Sequence, residues 1–117
     1  MNTHPTATVL VIPTTNPPTW AHLTGPTLTL DQLRTLHPDL ATIHWFDIVA
    51  GPHNTDLWVD DEALLTTNPQ FNLIASLLAH HPIYGPAVAT NTTPDGNTTG
   101  LTTNQQHTLT HLTAPLN

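Results

Sequence analysis

Cysteine is absent from this chain of 117 residues, which excludes disulfides and thiol chemistry and leaves the redox compartment open. Strong cations are almost absent: Arg34 is the single Lys or Arg. A phosphate-binding surface needs several such side chains to displace counterions, so no nucleic-acid partner is expected, and no polybasic membrane site. No apolar run reaches transmembrane length. The opening residues, MNTHPTAT, have neither the basic nor the apolar part of a signal peptide, and the expected location is cytoplasmic. Serine occurs once, as Ser76, inside a predicted helix where a nucleophile is poorly placed. There is no Gly-rich phosphate loop, nucleophile elbow or His-Glu-x-x-His motif. An enzyme is therefore not the leading expectation, and no cofactor is expected.

What the chain does contain is threonine, 24 residues of it, beside an apolar fraction of 38%. Threonine is β-branched and carries a methyl group, so it fills half-buried strand positions that valine otherwise takes. The length suits one domain, residues 1–117, with a single modest core. Eight acids against one strong cation give a net charge of −7, and protonating all nine histidines adds nine charges and takes it to +2. Low solubility is expected near pH 5.5, where the net charge approaches zero.

Local signals predict the elements. Residues 6–12 (TATVLVI) read as a strand stopped by Pro13. Residues 13–26 hold several prolines and read as a surface loop pinned by Trp20 and Leu23. A helix is expected over 28–40, with Thr29 as N-cap, Gln32 completing a capping box, a Leu28–Leu33 staple and Pro38 at its end. Residues 42–50 (TIHWFDIVA) are apolar on both faces and read as a central strand. A turn at 51–55 returns the chain as a strand over 56–60, forming a hairpin. After an acidic turn, Asn68 and Pro69 suggest the start of a helix running to His80. Residues 83–90 read as a strand that Pro86 confines to an edge or sets after a bulge. Residues 91–100 are turn chemistry, and Thr102 or Thr103 caps a last helix whose thin apolar face is Leu101, Leu109 and Leu112. The order β-α-β-β-α-β-α implies an α+β domain with a largely antiparallel sheet and helices packed on it. The N-terminal residues 1–5 and the loops 13–27 and 91–100 are expected to be mobile.

Three groups of residues invite chemistry. Asp56, Asp60, Asp61 and Glu62 cluster in seven residues, as paired carboxylates do when they shuttle protons or hold Mg²⁺; a solvated turn after a strand is the simpler and preferred reading. His107 and His111 lie four apart on a predicted helix and can face one metal ion, with a third ligand needed from His80, His81 or Asp60. Asn72 falls near a helix start, where a buried amide fixes loop backbone, or alternatively touches a ligand.

Several short pieces, in order, carry a resemblance. They are residues 9–13, the helix at 30–36, Val49-Ala50-Gly51, Val59-Asp60-Asp61-Glu62 and Asn72-Leu73-Ile74-Ala75. Then come Ile83-Tyr84-Gly85, Ala87-Val88-Ala89, Asp95-Gly96 and Leu101-Thr102. Together they resemble the domain-of-unknown-function family 3846, small proteins of phages, prophages and their actinobacterial hosts. Ala50 stands where that family has the first Gly of a Gly-Gly pair. The resemblance implies no reaction. It directs attention to Gly51, Asp61, Glu62 and Asn72, with Asp60 beside them, as binding candidates. The expected role is a small phage or mobile-element accessory protein that binds another protein, with anti-defence activity as a narrower form and a homodimer through an edge strand as a further possibility. The alternative is a metal-dependent enzyme or small-ligand binder using His107, His111 and the acidic turn.

Overall fold

The sheet is built from two hairpins joined by a strand from late in the chain. The computed structural model describes residues 6–114. The Thr- and Val-rich run forms β1 (Thr6–Ile12) and stops at Pro13. The chain then turns back as β2 (Thr19–Thr24), antiparallel to β1 with Leu10 opposite Trp20. The segment expected as a loop at 13–26 therefore contains a strand. Its β-branched Thr19 and Thr24 and aromatic Trp20 suit the pleat once the flanking prolines are kept outside the ladder.

The expected first helix is split in two. Its capping box forms as read: Thr29 Oγ1 accepts from the Gln32 N–H and Gln32 Oε1 accepts from the Thr29 N–H. That opens α1 (Leu30–Arg34), but Thr35 closes it. Pro38 does not end a long helix; it sits in the first turn of a second, α2 (Pro38–Ala41), whose cap is the His37 side chain. Leu28 and Leu33 are both buried in one cluster, as the staple requires, whereas Leu30 is exposed. Arg34 is spent structurally: it donates to the carbonyls of Ile43 and His44, pairs with Asp31 and lies 5.4 Å over the Phe46 ring.

The second hairpin is β3 (Phe46–Ala50) and β4 (Thr55–Asp60), with Val49 opposite Leu57. Then come α3 (Leu73–Ala79), β5 (Ala87–Thr92), the two-residue strand β6 (Thr98–Thr99) and α4 (Thr103–Thr113). The sheet order is β2-β1-β5-β4-β3, with β6 paired to β5 and every pairing antiparallel. The α+β order β-α-β-β-α-β-α holds, with β2 and β6 added inside segments read as loops. No helix among the described residues is long and apolar enough to cross a membrane.

Two strand positions reverse the expectation. β3, read as central, lies at the sheet edge, and Ile48 on it and Trp45 just before it are exposed rather than covered. β5, read from Pro86 as an edge strand or one set after a bulge, is the middle strand: the ladder starts at Ala87, so the proline sits outside it and removes no bond. Helices cover both faces of that strand. On one, Leu10, Ile12, Leu57 and Val59 pack with Ala75, Leu78 and Leu109; on the other, Val9, Val11 and Val88 pack with Leu33 and Leu40.

The last helix opens on Thr102 with Gln105 completing the capping box. Its inner face is Gln105, Leu109 and Thr113, a strict four-residue spacing, and Leu112 turns outward. Buried Gln105 is satisfied: Nε2 donates to the His53 carbonyl and to Asn91 Oδ1, tying the helix to the β3–β4 turn. Gly100, just before α4, lies so close to β1 that an added Cβ would stand 2.7 Å from the Ala7 Cα.

Candidate functional site

Asn72 shows most clearly how the sequence positions a side chain. It is 1% exposed and is itself the N-cap of α3, the role assigned from the sequence to Asn68. Its Oδ1 accepts from the Ala75 N–H at 3.0 Å, and its Nδ2 donates to the carbonyls of Ile12 and Gly85, each at 2.9 Å. An amide offers two donors and an acceptor, and here both kinds are in use. The helix start, the end of β1 and the approach to β5 are held by one side chain. Ser76 extends the network: its Oγ donates to the Asn72 carbonyl and accepts from the Ile83 N–H. This geometry belongs to an internal latch.

The acidic turn is the opposite case. Asp60 ends β4 and accepts from the Glu62 N–H, a local Asx-type bond that shapes the turn. Asp61 donates its N–H to the Trp45 carbonyl, extending the β3–β4 ladder by one pair, while its side chain faces solvent. Asp47 lies opposite Val59 and joins the same face. Hairpin register would have found it, because residues 45, 47 and 49 fall opposite 61, 59 and 57. Asp47, Asp60 and Asp61 meet His81 and Tyr84 around an open depression of about 160 Å³ floored by Val59 and Ile83. Large apolar side chains stand out beside it: Trp45 is 68%, Leu64 66% and Leu65 78% exposed. Leu64 lines this depression, and Leu65 lines a neighbouring one with His44, Asp60 and Glu62.

The candidates chosen from the sequence are therefore not one site. Asp60, Asp61 and Glu62 sit at one end of β4. Gly51 sits beyond the other end, about 17 Å away along a six-residue strand. A Cβ on Gly51 would run into Thr55 Oγ1, which is held by the Pro52 carbonyl, so this glycine serves the close packing of the turn. That turn also holds His53 and Asn54 in left-handed backbone, at φ 55° and 61°. Asp56 bonds Thr92 on β5 and lies apart from the acidic turn.

His107 and His111 are both exposed on α4. Among the described residues no three His, Cys, Asp or Glu side chains come together to hold a metal ion, so the third ligand that reading requires is not supplied by His80, His81 or Asp60. The acidic depression has the chemistry of an acceptor for a basic group: carboxylates at a rim above an apolar floor. No curated protein and no solved structure matches the chain. A family model does match, over residues 7–114, and the chain belongs to the family described as Domain of unknown function (DUF3846).

Proposed function

We infer that this chain is a small accessory protein of a phage or mobile element, working in the cytoplasm by binding another protein and catalysing no reaction. One observation carries the binding: Trp45, Leu64 and Leu65, between two-thirds and four-fifths exposed, stand among Asp47, Asp60, Asp61 and Glu62. Single exposed apolar residues are ordinary, but several large ones rimmed by charge mark a contact surface. The setting rests on the family resemblance. A narrower form, in which the partner is a basic host-defence protein, draws on the same acidic rim.

The test is capture from host lysate by the wild-type chain, compared with Leu64→Ser/Leu65→Ser and with Asp61→Ala/Glu62→Ala. All these side chains are exposed or half-buried, so the variants should melt like the wild type. Loss of one captured protein from both variants is expected. If both retain everything the wild type captures, this face is not the contact surface. Asn72→Ala is unsuited as a control, because it removes the latch.

A further inference from the structure

The bonds at the two ends of the β3–β4 ladder fix which backbone groups of β3 face outward. The Gly51 N–H donates to the Thr55 carbonyl at 2.9 Å, and the Asp61 N–H donates to the Trp45 carbonyl at 3.0 Å. In an antiparallel pair, alternate residues exchange bonds with the partner. Asp47 and Val49 therefore bond inward to β4, and Phe46, Ile48 and Ala50 turn their N–H and C=O groups away from the sheet. β3 is the last strand, so these groups form an edge. At its centre the Ile48 N–H donates to Asp47 Oδ1 at 2.9 Å. A carboxylate of the strand itself occupies the place that the carbonyl of an added strand would take.

Charge selects what can replace it. Asp60, Asp61 and Glu62 stand close to the same hairpin end, and Arg34, the one strong cation, is engaged by Asp31 and by the carbonyls of Ile43 and His44. A second copy of this chain would bring its own Asp47 to the edge and meet like charge. A segment with Lys or Arg opposite Asp47 would offer the carboxylate a stronger partner than one amide. Asp47 and Ile48 point to opposite faces of the strand, so alternation of basic and apolar residues suits both at once.

We propose that β3 is a charge-gated edge: an extended segment of a partner protein, with Lys or Arg alternating with apolar residues, draws Asp47 off Ile48 and pairs with Phe46, Ile48 and Ala50 as an added strand. The proposal rests on the protein-binding reading and names the partner's chemistry.

The probe is a synthetic peptide of alternating Lys and Val, with a Glu-Val peptide of equal length as its counterpart, added to the full chain. Amide hydrogen exchange of Phe46, Ile48 and Ala50 should slow with Lys-Val and stay unchanged with Glu-Val. Asp47→Asn keeps an acceptor for Ile48 but removes the charge, and should weaken Lys-Val binding about tenfold. Asp47→Ala frees the edge and should narrow the preference for Lys-Val over Glu-Val. Equal binding of both peptides, no binding of either, protection on β2 instead, or unchanged affinity in Asp47→Asn would each overturn the proposal. Failure here is separable from failure of the broader reading. If the Leu64→Ser/Leu65→Ser variant loses a captured protein while Lys-Val leaves the three amides unprotected, strand addition is wrong and the contact face stands. If Lys-Val protects them while the variant captures what the wild type does, the edge stands and the leucines are not its partner's contacts.

Discussion

Asn72 and the Asp60–Glu62 turn stand out in the sequence for similar reasons, as polar residues beside a helix start, yet they have opposite fates in the fold. Asn72 is buried with its amide engaged on three backbone groups from three parts of the chain. The acidic turn uses one carboxylate oxygen locally and leaves Asp61 in solvent. The first is costly to remove because its backbone partners cannot turn to water; the second is cheap because they already do. The fold therefore separates a buried, fully engaged side chain from exposed and half-buried ones that the sequence alone groups together.

The comparison is broken most directly at Asn72. Asn72→Ala strands two carbonyls and an N–H, and should cost about 3 kcal/mol or more in chemical denaturation. Asn72→Asp separates cap from latch: the acceptor for Ala75 survives, both donors are lost, and a buried charge is added. It should be at least as damaging, again about 3 kcal/mol. A mild effect of Asn72→Asp would mean that capping is all Asn72 does. Next comes Gly51→Ala, which must displace Thr55 Oγ1 from the Pro52 carbonyl; a loss of about 1–3 kcal/mol in thermal melts is expected. Ser76→Ala leaves the Ile83 N–H without its partner and should cost about 1–2 kcal/mol by the same measurement. The smallest effect belongs to Asp61→Ala/Glu62→Ala, within about 0.5 kcal/mol of wild type. If that pair destabilises as much as Ser76→Ala, the turn is structural and the contrast collapses.

Much of the fold was legible in local chemistry. Both Thr-x-x-Gln capping boxes, the β3–β4 hairpin and the strand at Thr6–Ile12 follow from residues close in sequence. Local chemistry fails where a distant partner decides. The run at 42–50 is apolar on both faces, yet β3 lies at the edge because β5 takes the position beside β4. Pro86 falls within the apolar run 83–90 and signals either an edge or a late strand start, and only the register with β4 shows that the ladder begins at Ala87 in the middle of the sheet. Asn68-Pro69 is a strong helix-start signal that lost to Asn72, which alone can reach Ile12 and Gly85. In the candidate site, the acidic turn was legible as a run of charge. Asp47 carries no such local signal, because it joins that turn only through hairpin register.

The position of β5 also bears on how the molecule assembles. Each hairpin closes between near neighbours in sequence, whereas Leu10 meets Ala89 and Leu57 also meets Ala89 only when a much later segment slots between them. A chain emerging from its start would form the two hairpins early, each with an open inner side, and hold them apart until Ala87–Thr92 is available. Such long-range closure is slow relative to hairpin formation. The small side chains of Ala87, Val88 and Ala89 are then the final insertion in a two-sided core, and a bulkier residue there would act first on the rate at which the halves join.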